Sequence, residues 1–151
     1  MNLSQTGTCQ ILAEMEPMFR RLADRARDLR LEISVWGPDG RCLGEFEPDC
    51  EFCRALHEAG NGCEQRLREV AIEAATNGKP VSKCLAGECG AIAVPIHKRR
   101  RIVGTVVACW PNAAWLDEEF ISRRCDELHL DRLTMIAMAQ ESGARDKQRC
   151  R

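Results

Sequence analysis

The chain has 151 residues, a length that favours one domain, and its 44% hydrophobic and 30% charged residues are ordinary for a globular protein. Its net charge of -1 gives no overall attraction to nucleic acid or to anionic membranes. No apolar run approaches the roughly 20 residues that cross a bilayer, and residues 1–10 lack the pattern of a signal peptide. We therefore expect a cytoplasmic protein with no membrane contact and no direct nucleic-acid contact.

The first third of the chain predicts a helix and then a β-hairpin. Apolar residues recur every three or four positions over about 9–30, which indicates an amphipathic helix that Pro17 either kinks or begins. Residues 31–36 have the composition of a strand, and the turn sequence at 37–40 follows them. Residues 41–46 are predicted to return as the second strand of the hairpin.

The middle of the chain predicts two short helices and a strand. Residues 49–59 form the first helix, with Asp49 as its N-cap, and Gly60-Asn61-Gly62 ends it. Residues 63–76 form the second helix, which stops at an Asn-Gly pair. A short strand is predicted over 81–85.

A second hairpin and two or more helices complete the predicted elements. The β-branched runs 91–96 and 102–110 flank the basic turn 98–101, and we expect this hairpin to be central in the sheet. The basic run is interpreted as a solvated turn, because no aromatic residues alternate with its charges. Pro95 indicates a sheet edge or a bulge, and 113–143 has helical periodicity.

This order of elements predicts an α+β fold, an antiparallel sheet flanked by helices as in PAS and GAF domains. A single domain would span 1–151, with an N-terminal helix at about 9–30, a core at 31–112 and C-terminal helices at 113–143.

Five of the ten cysteines lie within forty residues, in the pattern C-x2-C-x9-C-x20-C-x4-C, at Cys50, Cys53, Cys63, Cys84 and Cys89. In a reducing compartment, clustered thiols more often bind metal or act as redox groups than form disulfides. Helix starts favour thiolates, and four thiolates suit zinc or an iron–sulfur cluster. The other interpretations are buried apolar thiols and a redox dithiol.

Residues 52–104 resemble a PocR-type sensory domain, found in bacterial regulators and sensor kinases. The matching segments are Phe52-Cys53, Gly62-Cys63, Gly78-Lys79-Pro80-Val81, Cys84-Leu85-Ala86-Gly87, Ala93-Val94-Pro95-Ile96 and Ile102-Val103-Gly104. The resemblance implies a PAS/GAF-like fold that senses small molecules, with simple diols as one suggestion. Cys50 and Cys89 are additional to the expected cysteines, and Cys109-Trp110 replaces an expected Gly-Gln pair.

We predict Cys50, Cys53, Cys63 and Cys84 as the ligands of a metal or cluster, with Cys89 as an alternate ligand or a bystander. An iron–sulfur cluster is slightly favoured over zinc, because a spare thiol suits exchangeable ligands. His57 lies one helical turn after Cys53 and is interpreted as a surface or hydrogen-bonded residue. The remaining cysteines are interpreted as core or surface thiols.

The sequence predicts a regulatory domain that is not an enzyme. No catalytic motif surrounds any cysteine, and the sequence contains no nucleotide-binding motif. One alternative is a receptor for a diol-like small molecule, with structural zinc or structural cysteines. The other is a thiol oxidoreductase that uses Cys50 and Cys53. We expect a homodimer formed through the terminal helices. We also expect an output module, such as a histidine kinase or a transcription-regulator domain.

Overall fold

The computed structural model describes residues 14–29, 31–43, 48, 50–85 and 89–141. The strands are β1 (Glu32–Trp36), β2 (Val81–Leu85), β3 (Cys89–Lys98) and β4 (Arg101–Pro111). The helices are α1 (Glu16–Asp28), α2 (Glu51–Glu58), α3 (Cys63–Asn77), α4 (Glu118–Leu128) and α5 (Arg132–Glu141), with a 3-10 turn at Ala113–Leu116. The strands form one antiparallel sheet in the order β1-β4-β3-β2. The predicted α+β, PAS/GAF-like fold is confirmed.

The central hairpin β3–β4 is the longest pairing in the sheet, and its prediction is confirmed. Burial alternates along 89–95 of β3 and 105–111 of β4, so that Ala91 and Ala93 of β3 and Val107 and Cys109 of β4 are buried on the same face. We call this the inner face. A register shift at Ile96/His97 marks a bulge. It lies next to Pro95, where the sequence predicted a sheet edge or a bulge.

Helix α3 covers the inner face and forms the main core. Ala71 and Ala74 are fully buried against the sheet, and their small side chains allow the helix to approach closely. The buried hydroxyl of Thr105 donates a hydrogen bond of 3.2 Å to the carbonyl of Ala71, which fixes the helix to β4.

A second core lies between α2 and the C-terminal helices. Phe52 and Leu56 of α2 pack with Trp115, Ile121 and Met135. Phe52 meets Trp115 edge-on, with ring centroids 4.8 Å apart. Helix α2 therefore joins the sheet to the C-terminal helices.

Helix α1 packs on the opposite face of the sheet, where Phe19 contacts Val35 and Val103. Pro17 lies in its first turn, so this proline begins the helix and does not kink it. The helix predicted at about 9–30 is observed as Glu16–Asp28, and 9–13 lie outside the described residues. None of the helices within the described ranges combines the length and hydrophobicity that a bilayer crossing requires.

Two local predictions are met in part. The predicted hairpin is observed as far as the chain is described, because Trp36 bridges Cys42 and the Leu43 amide donates a hydrogen bond of 2.7 Å to the Val35 carbonyl, while the other edge of β1 pairs with β4. Residues 44–47 and Asp49 lie outside the described residues. The N-cap of α2 is Cys50, because its sulfur accepts the backbone hydrogen bond that the prediction gave to Asp49.

Candidate metal centre

Cys50 and Cys53 lie at the first turn of α2. Cys50 has an extended backbone, and its sulfur accepts a hydrogen bond of 3.3 Å from the amide of Cys53. The free amides of a helix start carry partial positive charge, which stabilises thiolates. Cys53 is buried and Cys50 is half-buried, so both sulfurs are shielded from most of the solvent.

Glu32 joins these cysteines from strand β1. The amide of Cys50 donates a hydrogen bond of 2.6 Å to Glu32 Oε1. One carboxylate oxygen and the two sulfurs all lie within 4.8 Å of one another. We call Glu32, Cys50 and Cys53 the ligand cluster, because these three atoms are grouped as the ligands of one metal ion would be.

The two thiols of the ligand cluster differ in acidity. The Cys53 thiol donates a hydrogen bond to the Cys50 sulfur, which lowers the pKa of Cys50 and raises the pKa of Cys53. Burial raises the pKa of Cys53 further. Cys50 is therefore the more readily ionised thiol of the pair, and it is suited to act as a metal ligand or a nucleophile.

A cavity of about 230 Å³ opens beside the ligand cluster, along the edge of β1 that faces away from β4. The apolar part of its wall includes Phe19, Ala23, Ile33, Val35, Leu56 and Leu67. The cysteines that line it are Cys42, Cys53, Cys63, Cys89 and Cys109. Thiols contributed by several distant segments of the chain therefore meet at one cavity.

Cys109 lies next to the ligand cluster on the inner face of the sheet. It is the direct partner of Glu32 in the β1–β4 register, and both residues line the cavity. Cys109 is buried, and burial raises its pKa well above the ordinary value, with nearby Cys89 and Cys63 adding to the shift. A charged Cys109 therefore requires a compensating positive group.

Sequence reasoning missed Glu32 and Cys109 as site residues. The spacing of the cysteines gives no information on strand register, so it could not place Cys109 opposite Glu32. The signal that was available is the alternation of β4, which places Cys109 on the same face as Val107.

Of the four predicted ligands, Cys53 and Cys63 line this cavity, and Cys50 lies beside it in the ligand cluster. Cys63 begins α3, where its amide donates a hydrogen bond of 3.0 Å to Asn61 Oδ1, and its half-buried side chain lines the cavity. Cys84 is exposed on the outer face of β2, where Asn112 Nδ2 lies 3.3 Å from its sulfur. Cys89, on the neighbouring strand β3, is buried on the inner face.

The other residues singled out in the sequence lie away from the cavity. His57 is half-buried on α2 and does not line it. Cys125 is buried in the second core, and Arg99 and Arg100 are exposed in the β3–β4 turn. Cys9 and Cys150 lie outside the described residues.

The comparison with protein families matches residues 14–151 to the family described as the sensory domain found in PocR. No curated protein and no solved structure matched the chain. The family match covers nearly the whole chain and includes every described residue, so the resemblance seen in the sequence is confirmed. Since this family is one of sensory domains, the chain has a sensory, regulatory role. The chain belongs to the PocR sensory-domain family.

Proposed function

We propose that this domain senses its signal through a metal ion or an iron–sulfur cluster held by the ligand cluster and the cysteines of the adjoining cavity beside β1. The observation that carries the proposal is the ligand cluster, in which the ligand atoms of Glu32, Cys50 and Cys53 lie within 4.8 Å of one another. Protein thiolates grouped with a carboxylate are suitable ligands for zinc or iron. The role is regulatory rather than catalytic, in keeping with a sensory family.

The position of α2 supplies a route from this site to an output module. Cys50 and Cys53 lie at the first turn of the helix, and Phe52 and Leu56 of the same helix pack against the C-terminal helices. A change in ligation at the first turn would therefore shift the packing around Trp115. We propose that the C-terminal helices pass this shift to an output module such as a histidine kinase or a transcription-regulator domain.

The proposal is tested by purifying the protein without oxygen and assaying iron, acid-labile sulfide and zinc, together with an absorption spectrum. The expected result is about one equivalent of zinc, or a coloured protein that contains iron and sulfide. Protein that carries no metal, and that takes up none when zinc or iron with sulfide is supplied, would exclude a metal-dependent sensor.

A second candidate is a receptor for a small molecule, which the apolar wall of the cavity favours. A volume of about 230 Å³ suits a compact ligand, and Glu32 in its wall offers a hydrogen-bond acceptor. Calorimetric titration of metal-free protein with a short diol tests this function. Saturable binding that is lost on Leu67→Trp, which would fill the cavity, supports it; heats no larger than those of dilution count against it.

A third candidate, a thiol oxidoreductase, is favoured by the low pKa of Cys50 beside a second thiol. Reduction of insulin disulfides, lost on Cys50→Ala and on Cys53→Ala, would support it. If the wild type reduces insulin no faster than the Cys50→Ala and Cys53→Ala variants do, this function is excluded.

We further propose that α1 contributes to a homodimer. Met18, Leu22 and Leu29 are 47%, 40% and 59% exposed although they are large and apolar. Leu22→Glu is expected to give a monomer by light scattering, whereas Leu116→Glu, at another exposed leucine, leaves the dimer intact. A wild-type monomer, or a dimer that persists in Leu22→Glu, would exclude pairing through α1.

A further inference from the structure

We infer that this site binds a single soft divalent metal ion, with Glu32, Cys50, Cys53 and Cys109 as its four ligands. The inference rests on the proposed function and makes it specific, since it names the ligands and excludes a multi-iron cluster. It replaces Cys63 and Cys84 in the set predicted from the sequence with two residues that are distant in sequence.

The spacing of the ligand cluster favours one ion. Tetrahedral zinc with bonds of about 2.3 Å to sulfur places two sulfurs about 3.8 Å apart. The ligand atoms of Glu32, Cys50 and Cys53 all lie within 4.8 Å of one another, so only small rotations of side chains would bring them to that distance. An iron–sulfur cluster places several irons and sulfides between its cysteines, which requires wider separation.

Cys109 is the fourth ligand because of the sheet register. It lies directly across from Glu32 in the β1–β4 pair, and directly opposed side chains have Cβ atoms about 4.5–5.5 Å apart. Its side chain is buried and faces the same cavity as Glu32 and Cys53. Zinc in proteins is commonly four-coordinate, and Cys109 supplies the position that the ligand cluster lacks.

The remaining cysteines are less suitable. Cys84 is exposed on the other face of the sheet, so α2 and β2 would both have to move before it could join. Cys63 and Cys89 line the cavity, and their sulfurs, like that of Cys109, lie outside the group within 4.8 Å; unlike Cys109, neither residue is paired with Glu32 in the sheet. They remain available as neighbours of the bound ion.

The surroundings already orient the ligands. The amide of Cys50 holds Glu32 Oε1 at 2.6 Å, and the amide of Cys53 holds the Cys50 sulfur at 3.3 Å. Hydrogen bonds of this kind fix ligand orientation and raise metal affinity. The start of α2 adds partial positive charge beside Cys50 and Cys53.

Cobalt(II) is the probe, because it replaces zinc and reports its own geometry and thiolate ligands by absorption. Metal-free protein is titrated with cobalt under anaerobic conditions in the wild type, Cys109→Ser and Glu32→Gln. Cys84→Ser and Cys125→Ser are the matched controls, one exposed thiol and one buried in the other core. Circular dichroism checks that each variant is folded. If Cys109→Ser does not fold, the test rests on Glu32→Gln.

We expect the wild type to bind about one equivalent with a tetrahedral spectrum and a thiolate charge-transfer band. Cys109→Ser should lose about a third of that band, because one of three sulfur ligands is gone. Glu32→Gln should keep the band but weaken binding roughly 10-fold or more. The two control variants should bind as the wild type does.

Two other outcomes separate the inference from the proposed function. Full charge-transfer intensity in Cys109→Ser, with loss in Cys63→Ser or Cys89→Ser, overturns these ligands and leaves a metal-dependent sensor intact. Recovery of an iron–sulfur cluster from the wild type has the same meaning. A wild type that binds neither cobalt nor zinc nor a cluster overturns both.

Discussion

The backbone amide of Cys50 donates a hydrogen bond of 2.6 Å to the carboxylate of Glu32. This contact joins the first turn of α2 to the edge strand β1, which are eighteen positions apart in sequence. The same helix buries Phe52 and Leu56 among the C-terminal helices. A carboxylate on the sheet thus holds the helix that contacts both the candidate metal centre and the second core.

Glu32→Ala is expected to lower the free energy of unfolding of the metal-free protein by about 1–2 kcal/mol, because the Cys50 amide loses its acceptor. Glu32→Gln keeps an acceptor oxygen and should cost less than half as much. Urea unfolding followed by tryptophan fluorescence measures both values. Equal losses in the two variants would show that the charge of Glu32, rather than this hydrogen bond, stabilises α2.

Phe52→Leu is expected to weaken communication between the metal centre and the C-terminal helices while leaving both cysteines in place. It removes the edge-on contact with Trp115 and should cost about 1 kcal/mol of stability. Hydrogen exchange is the measurement. In the wild type, metal binding should increase amide protection in α4 and α5 as well as in α2.

In Phe52→Leu the added protection should be confined to α2 and β1. Phe120→Leu is the matched control, since the Phe120 ring also packs edge-on against Trp115, with centroids 5.4 Å apart, but does not belong to α2. It should retain the protection of α4 and α5 that follows metal binding. Identical protection patterns in the wild type and Phe52→Leu would contradict transmission through this residue.

The β3–β4 turn is expected to become more stable when its two central residues are replaced. Arg99 and Arg100 have φ values of 50° and 67°, a left-handed conformation in which side chains are strained. Arg99→Asn with Arg100→Gly supplies the residues that such a turn favours, and should raise the free energy of unfolding by about 1 kcal/mol.

Arg101→Asn is the control for charge at this turn, because Arg101 is already in β4. Thermal unfolding should show a higher midpoint for the double variant only. A gain of similar size in Arg101→Asn would mean that relief of charge repulsion, and not of backbone strain, is the cause.

Asp131 should make the stability of the folded protein fall at acid pH. The side chain and the amide of Thr134 donate hydrogen bonds to its carboxylate, and they lower its pKa below the ordinary value. A carboxyl with a lowered pKa in the folded state stabilises above its unfolded pKa of about 3.9 and loses this effect as pH falls through the folded pKa.

Asp131→Asn removes the titration and keeps a capping side chain. The wild type should have the higher melting temperature at neutral pH, and this difference should shrink as pH is lowered below about 4. A difference that stays constant between neutral and acid pH would contradict the role given to Asp131.

Much of the fold follows from local sequence. The long β3–β4 hairpin and α3 were predicted within a few residues, because each has a clear hydrophobic period and clear end signals. The pairing of β1 with β4 was not predicted. The turn sequence at 37–40 indicated the local hairpin that the described residues show at Trp36 and Cys42, but it carries no signal for the pairing of the other edge of β1 with five positions of β4.

The candidate site was predictable only in part, for the same reason. The C-x-x-C spacing placed Cys50 and Cys53 together on one helix turn, and that pair forms part of the ligand cluster. Cys84 and Cys89 are close in sequence, but the alternation of the sheet sends Cys84 outward and Cys89 inward. The approach of Cys109 to Glu32 depends on long-range strand pairing, which spacing alone does not reveal.

X-ray absorption at the metal edge of the zinc-loaded protein tests the central claim most directly, since it counts the atoms around the ion. The predicted result is about three sulfurs near 2.3 Å and one oxygen near 2.0–2.2 Å. Only oxygen and nitrogen neighbours, or a second metal at short distance, would contradict a single ion held by Glu32, Cys50, Cys53 and Cys109.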